Sequence, residues 1–253
     1  MQAERALEAR LNELAMTASY QSKTCFTRFL DPAQLSLAET IAAGYDVEIR
    51  SFGGYANAER AICAFSHQEP EESEFPIVCL KACWAEKFSS PAHRDFLGAI
   101  MSLGQDRSCF GDIVRGIGHG TAYLFVHADS AGYVEANLDR AGNASLSIQE
   151  IPPSDALIAP PDGRVIRVTV NSMRLDALIS AAFRMSREAA QEAVLRELVR
   201  LNHTEAAKPD AQLCRDDLVS VRGSGRFRVI EEPRETRKGR QGVQLFLYSR
   251  GGW

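Results

Sequence analysis

Three arginines surround a glycine turn in the segment SVRGSGRFRV, at positions 220–229, between alternating apolar residues. The two glycines permit a tight turn and let a ligand approach the backbone closely. Guanidinium groups beside exposed backbone N–H groups suit hydrogen bonds to phosphate oxygens. Arg222, Arg226 and Arg228 are therefore candidate contacts to a nucleic-acid backbone.

A second group of arginines lies on a predicted pair of helices before this segment. Arg174 and Arg184 share a helical face with two alanines between them, which leaves room for a bulky polyanion. Ser186 can cap the next helix, and Arg187 then lies at its positive N-terminus, where a phosphate binds favourably. A solvated helix face is the alternative, and the downstream glycine turn favours binding. With the later basic cluster RETRKGRQG, the candidate contacts are Arg174, Arg184, Arg187, Arg222, Arg226, Arg228, Arg237 and Lys238.

Other residues could carry catalysis, but their surroundings favour structural roles. Asp176 follows Arg and Leu as in pseudouridine synthases, where such an aspartate is the nucleophile. Here Met173 precedes the triplet and an amphipathic helix follows it, so we interpret Asp176 as a helix residue. His93 and Asp95 could form an acid–base pair, yet no third partner is identifiable. The GIGHG motif at 116–120 lacks the Lys and Ser/Thr of a phosphate-binding P-loop and predicts a hairpin turn. We expect no catalytic residue.

The six cysteines predict no metal site. Cys79 and Cys83 lie four positions apart, the others stand alone, and no CxxC pair occurs. Isolated cysteines of an intracellular protein are expected to be reduced thiols in the core. We therefore expect neither a metal nor another cofactor.

Charge is distributed unevenly along the chain. From Arg164 onward the sequence has 17 lysines and arginines against 11 aspartates and glutamates, whereas the preceding residues have 12 against 22. Such asymmetry is typical of a protein with a nucleic-acid-binding part. No stretch of eighteen apolar residues predicts a membrane span, and the charged N-terminus does not resemble a signal peptide. We expect a cytoplasmic protein without membrane contact, and a monomer.

The order of predicted elements indicates an α+β protein with three regions. Residues 1–74 predict two helices followed by strands. Residues 75–160 predict a β-α-β-β-α-β order, which is typical of a ferredoxin-like α/β sandwich. A linker with four prolines ends this region, and residues 164–253 predict a strand, two helices and several short strands.

The third region resembles a known RNA-binding module. The segments MRLDALISAAFRMSREAAQEAV, VRLNH and DLVSVRGSGRFRV are similar, in this order, to the domain first seen in ribosomal small-subunit protein four, here called the S-four domain. The resemblance covers about residues 165–250. Glu197 and Asp216 stand where that pattern has glycines, so the chain departs from it at two turns.

Upstream segments extend the resemblance to nearly the whole chain. TRFLDPAQ, FGGYANAERAICAF and HRDFLGAIMSLGQDRSCFGDI resemble the bacterial YlmH family of ribosome-associated RNA-binding proteins. The resemblance implies a second RNA-binding domain in the middle of the chain. It also implies binding of ribosomal RNA, and of peptidyl-tRNA as a further candidate, on the large ribosomal subunit. A non-catalytic role in ribosome-associated quality control or translation is expected. An RNA-modifying enzyme targeted by the C-terminal domain, or a cell-division interaction factor, remains an alternative.

Overall fold

A computed structural model describes residues 2–206, 208–236 and 239–249, and divides the chain into two compact units at Pro160 and Pro161. Helices and antiparallel sheets occur in both units, so the α+β prediction is confirmed. The helices of the first unit are α1 (Gln2–Gln21), α2 (Pro32–Ala42), α3 (His93–Ser102) and α4 (Ala128–Asn137). Those of the second unit are α5 (Leu175–Phe183) and α6 (Arg187–Leu195).

Sixteen strands are present in the described residues. The first unit contains β1 (Cys25–Leu30), β2 (Glu48–Phe52), β3 (Ala61–Ser66), β4 (Ile77–Cys83), β5 (Phe110–Arg115), β6 (Thr121–His127), β7 (Arg140–Ala141), β8 (Ala144–Ser145) and β9 (Ser147–Ile151). The second contains β10 (Gly163–Val170), β11 (Val199–Leu201), β12 (Thr204–Glu205), β13 (Leu218–Val221), β14 (Gly225–Val229), β15 (Arg234–Glu235) and β16 (Gln241–Tyr248).

The first unit begins with two helices packed on a three-stranded sheet of order β1-β3-β2. Leu11, Leu14 and Ala15 repeat at helical spacing and are buried on the inner side of α1. Asp31 caps α2: its carboxylate accepts a hydrogen bond from the backbone N–H of Gln34 at 3.0 Å. Strand β1 was not predicted from the sequence.

Residues 77–151 have the predicted β-α-β-β-α-β order, with the small β7-β8 hairpin added before the last strand. Their four long strands form an antiparallel sheet of order β5-β6-β4-β9. Helices α3 and α4 bury one face of this sheet through residues such as Phe96 and Val134. On the other face, Tyr123 and Phe125 pack in one cluster with Phe29 of β1. The predicted N-terminal and middle regions therefore share a hydrophobic core, and the three-part division of the chain stays a prediction.

The second unit is one antiparallel sheet covered on one face by two helices. The strand order is β10-β16-β14-β13-β11-β12, and β15 pairs with β16 beside this path. Alternate residues of the central strands, among them Phe227, Val229 and Leu245, are buried with Leu178 and Ile179 of α5. The strand residues between them lie on the opposite face, which we call the outer face.

Several turns of the second unit have left-handed backbone at residues that are not glycine, and two of them are at Glu197 and Asp216. Glu197 has φ 57° and Asp216 has φ 71°. These are the two positions at which the sequence resemblance to the S-four pattern expects glycine, and a side chain in this backbone conformation is strained. None of the described helices combines the length and apolarity that crossing a bilayer requires.

Candidate nucleic-acid interface

Asp176 organises the arginines of the two helices. Its side chain is 0% exposed, in the first turn of α5. Arg174 Nε donates to one carboxylate oxygen at 3.1 Å, and its terminal nitrogen donates to the other at 3.0 Å. Arg187 of α6 donates to both oxygens at 3.3 Å, and the Gln191 amide adds a bond of 2.7 Å. One buried carboxylate thus fixes two arginine side chains, which remain about one-third and one-half exposed.

The charge state of Asp176 follows from this network. Burial opposes its ionisation, but the hydrogen bonds from Arg174, Gln191 and Arg187 outweigh burial and hold the pKa well below the usual range of aspartate. The carboxylate is therefore ionised, and both of its oxygens accept hydrogen bonds from neighbouring side chains. A nucleophile needs a lone pair aimed at its substrate. Asp176 instead positions Arg174 and Arg187, which agrees with its interpretation as a helix residue.

The connection between α5 and α6 exposes Arg184. Arg184 is the left-handed C-cap of α5, with φ 55°, and its side chain is exposed. Ser186 caps α6 as predicted, since its hydroxyl accepts a hydrogen bond from the Ala189 N–H at 3.1 Å. The guanidinium of Arg184 forms no ion pair with any residue of the described ranges. It is therefore available to an external anion.

The SVRGSGRFRV segment forms the β13-β14 hairpin that its glycines predict. The tight turn joins Val221 to Gly225, and Gly223 and Gly225 have φ of 80° and 127°. A side chain at either glycine would be strained in this backbone conformation. Arg222 lies at the start of the turn, is exposed, and makes no ion pair with residues that the structure describes.

Arg226 and Arg228 alternate with the buried Phe227 and Val229 on β14, and therefore lie on the outer face. The guanidinium of Arg226 stacks over the ring of Tyr248, 4.5 Å from its centroid. Arg228 Nε lies 3.4 Å from the Tyr248 hydroxyl, and a terminal nitrogen of Arg228 lies at the same distance from the carbonyl oxygen of Asp216. Tyr248 thus orders both arginines.

The structure distributes the predicted contacts over two faces of the sheet. Arg174, Arg184 and Arg187 belong to the helical side, whereas Arg226 and Arg228 lie on the outer face. One depression of about 570 Å³ links the two groups at the end of the sheet. It is lined by Gly163, Arg164, Ala182, Phe183, Arg184, Ser224, Leu247, Tyr248 and Ser249. The predicted contacts Arg237 and Lys238 lie outside the described residues.

Sequence reasoning missed two members of this surface, Arg164 and Tyr248. Arg164 is the first basic residue after the linker, and no local pattern identifies it as a contact. Tyr248 ends the apolar strand β16. The alternation of buried and outward-facing residues along this strand indicates the direction of its side chain. Val243 and Leu245 are buried, so Tyr248, an odd number of residues away from each, points to the outer face.

The remaining candidate motifs take structural roles. Asp95 accepts a hydrogen bond from the backbone N–H of Ala92 at 2.8 Å, at the start of α3. GIGHG forms the predicted turn between β5 and β6, and His119 Nδ1 lies 2.6 Å from the carboxylate of Glu86. Within the described part of the chain, no three side chains of His, Cys, Asp or Glu come together as metal ligands.

Known proteins resemble this chain over most of its length. A family model described as "Putative RNA-binding domain in YlmH" matches residues 70–155. The chain is 35% identical over 237 residues to "Ribosome-associated protein quality control protein P2" of Bacillus subtilis (strain 168), covering 93% of this chain and 91% of that protein. A solved structure, "Cell division protein ylmH from Streptococcus pneumoniae", matches 60% of this chain and 93% of its own with a TM-score of 0.50 and 22% identity, a likeness of fold.

Proposed function

Since this chain belongs to the YlmH family, we propose that it is a non-catalytic RNA-binding protein that acts on the ribosome. The observation that carries the proposal is the group of ordered or exposed arginines at one end of the second unit. Arg184 and Arg222 are exposed, and Arg226 and Arg228 are oriented by Tyr248. Guanidinium groups held at fixed positions on a surface suit phosphate oxygens, which they bind in a bidentate manner.

The proposed ligand is structured ribosomal RNA of the large subunit, with peptidyl-tRNA as a second candidate. The relative from Bacillus subtilis carries ribosome-associated quality control in its name, and the resemblance of nearly the whole chain supports the same role here. A role of this kind requires a cytoplasmic protein. The helical arginines and the outer-face arginines would contact neighbouring phosphates of one folded RNA, because a duplex presents phosphates along both strands.

Binding without catalysis is supported by the state of Asp176. The RNA-modifying alternative needs this carboxylate as a nucleophile, but two arginines and Gln191 occupy its oxygens. We therefore assign Asp176 a positioning role. Asp176→Asn should leave the modification of ribosomal RNA unchanged, as measured by mass spectrometry of RNA from cells with and without the protein. A pseudouridine that disappears on deletion, and returns with the wild-type protein but not with Asp176→Asn, would establish the enzyme instead.

Ultraviolet cross-linking of the full chain on ribosomes tests the binding role. The expected cross-links map to large-subunit ribosomal RNA, and to tRNA on ribosomes that carry peptidyl-tRNA. The variant with both Arg184→Glu and Arg222→Glu should lose these cross-links, because each substitution reverses an exposed charge without touching the core. Arg5→Glu with Arg10→Glu, on the exposed side of α1, is the matched control. The absence of RNA cross-links from the wild-type chain would refute the proposal.

A further inference from the structure

The depression at the end of the second sheet has the composition of a nucleotide site. Its apolar part consists of Ala182, Phe183 and Leu247. Two arginines, Arg164 and Arg184, are the charged groups in its lining. Among its described lining residues none is acidic, although the chain as a whole has more acidic than basic residues. A ligand with an apolar planar part and a negative charge matches this combination.

The wall of the depression is aromatic and rigid. Tyr248 is covered on one side by the Arg226 guanidinium, and its hydroxyl lies 3.4 Å from Arg228 Nε. Phe246 meets the same ring edge-on, with the ring centroids 4.9 Å apart and the planes at 86°. These three contacts restrict the rotation of the Tyr248 ring. A fixed aromatic ring gives stacking surface without the entropy cost of ordering a mobile side chain.

The volume of the depression limits which part of an RNA can enter it. A space of about 570 Å³ lies in the range of small-ligand sites and accommodates one nucleotide. Bases inside a duplex are stacked and paired, so they cannot enter such a depression. Proteins that read unpaired RNA stack splayed-out bases on aromatic rings and arginine planes. An unpaired nucleotide in a loop or bulge is therefore the part of a folded RNA that fits.

We propose that this depression binds one unpaired nucleotide of the RNA, with the base against Phe183, Leu247 and Tyr248 and the phosphate between Arg164 and Arg184. The inference rests on the proposed RNA-binding function and adds what part of the RNA is recognised. The arginines on the two faces would bind duplex phosphates on either side of the inserted nucleotide. The second unit thereby distinguishes a helix interrupted by a loop or bulge from a continuous helix.

The test compares two RNA hairpins that share their stems, one with a single bulged adenosine and one without it, each bound to the full chain. Tyr248→Leu keeps an apolar side chain but removes the ring. Because Tyr248 also orders Arg226 and Arg228, we expect this variant to weaken binding of both hairpins, and to weaken binding of the bulged hairpin about tenfold more than binding of the continuous hairpin. Tyr248→Phe retains the ring and should restore most of the wild-type preference for the bulged hairpin over the continuous hairpin. Tyr133→Leu, an exposed aromatic of α4, is the matched control.

The fluorescence of a base analogue reports whether the bulged base stacks in the depression. With 2-aminopurine in place of the bulged adenosine, binding of the wild-type chain and of Tyr248→Phe should quench its fluorescence, and binding of Tyr248→Leu should not. Equal loss of affinity for both hairpins, or Tyr248→Phe as weak as Tyr248→Leu, would overturn the proposal. Wild-type binding to neither hairpin would instead refute the proposed RNA-binding function.

A photo-cross-linker distinguishes RNA from protein as the occupant. Ser249 is exposed and lines the depression, so p-benzoylphenylalanine at this position probes what enters it. The full chain with this substitution, bound to ribosomes and irradiated, should cross-link to RNA. A cross-link to a ribosomal protein in place of RNA contradicts the nucleotide site.

Discussion

Arginines in the two units make different kinds of contact. In the first unit, Arg60 donates from Nε to the carbonyl oxygen of Phe110 at 2.9 Å and from a terminal nitrogen to that of Phe29 at 3.0 Å. Arg107 donates to the carbonyl oxygen of Phe110 at 2.7 Å. Burial lowers the pKa of Arg107 to about 10. In the second unit, Arg184 and Arg222 are exposed. Arg60 and Arg107 of the first unit therefore hold loops together, whereas Arg184 and Arg222 of the second unit face solvent.

Each unit also contains an aspartate that accepts several hydrogen bonds, the half-buried Asp112 and the fully buried Asp176, and the two differ in their partners. Asp112 accepts hydrogen bonds from the Tyr55 hydroxyl at 2.9 Å and from the backbone N–H of Glu59 at 2.6 Å. Burial raises the pKa of Asp112 despite these bonds. Arginine hydrogen bonds lower the pKa of Asp176 despite its burial. The donors to Asp112 are a hydroxyl and backbone N–H groups, whereas Asp176 accepts hydrogen bonds directly from two guanidinium groups.

Some basic residues of the first unit make internal contacts and do not face a ligand. Six Lys and Arg residues occur between Glu71 and Asp155, but Arg107 is used internally and Arg115 pairs with Glu86 at 2.9 Å. Four basic residues, Lys81, Lys87, Arg94 and Arg140, remain in the region that matches the RNA-binding family model. Electrostatic attraction to RNA is expected to come mainly from the second unit.

The largest expected effect concerns the Asp112 contacts. Asp112→Ala removes the acceptor of three donors, the Tyr55 hydroxyl and the N–H groups of Glu59 and Arg60. We expect the free energy of unfolding to fall by about 3 kcal/mol, because three hydrogen bonds lose their acceptor. Chemical denaturation followed by circular dichroism measures the change. Asp129→Ala, an exposed aspartate, is the control, and a loss below about 1 kcal/mol would contradict the structural role.

Removing two outer-face arginines should give the largest effect on binding. Arg226→Ala with Arg228→Ala removes two phosphate contacts, so RNA affinity should fall by about 2 kcal/mol, roughly 30-fold. The fall should be similar across RNA sequences, and the slope of log affinity against log salt should decrease by about 2. Filter binding or fluorescence anisotropy at several salt concentrations measures both quantities.

The matched control for this pair is Arg5→Ala with Arg10→Ala on α1. Both control arginines are exposed, and the net charge changes by the same amount. An unchanged affinity of the Arg226 and Arg228 variant, or a complex of the wild-type chain that is insensitive to salt, would show that these arginines do not contact phosphate.

Separating the units should change specificity more than affinity. The segment from Arg164 onward is expected to bind both large ribosomal subunits and random duplex RNA by its phosphate contacts. The acidic first unit should repel non-specific RNA, so the full chain should prefer large subunits about tenfold more than the segment does. Competition binding measures this ratio. Tight RNA binding by residues 1–160, with none by the C-terminal segment, would reverse the assignment of the arginines.

The smallest expected effect is on the pH dependence of stability. The folded-state pKa of Asp176 is lowered, so its stabilising contribution is present above about pH 4 and is lost as the pH falls through the folded-state pKa. The folded-state pKa of Asp112 is raised, so its contribution is present below about pH 4 and is lost as the pH rises. We expect changes of about 1 kcal/mol between pH 3 and 7, since most of the Asp176 titration lies below this range.

Unfolding of the wild-type chain, Asp176→Asn and Asp112→Asn over this pH range separates the two contributions. The stability difference between wild type and Asp176→Asn should shrink towards acid. The free energy of unfolding of wild type minus that of Asp112→Asn should fall as the pH rises. The same direction for both variants would contradict the contrast between the two carboxylates.

Local signals were sufficient for most elements of the fold. Asp31 followed by Pro32 predicts the start of α2, since a cap and a proline suit the first turn of a helix. The glycines of SVRGSGRFRV predict the β13-β14 hairpin, because two positions require positive φ. Strand β1 was not predicted because apolar and polar residue types do not alternate in CFTRFL, although burial alternates along its first five residues, and pairing with β3 identifies the segment as a strand.

The sequence by itself determined the α+β class and the basic composition of the residues from Arg164 onward, because each depends on composition or on short-range periodicity. Only the tertiary structure decided what each arginine does. Asp176 brings Arg187 to Arg174 across eleven to thirteen positions, and Tyr248 meets Arg226 twenty-two positions away. Such contacts depend on strand register and helix packing, which no local pattern encodes. Arginine therefore donates hydrogen bonds to backbone carbonyl oxygens at Arg60, forms an ion pair at Arg187 and is an exposed cation at Arg222.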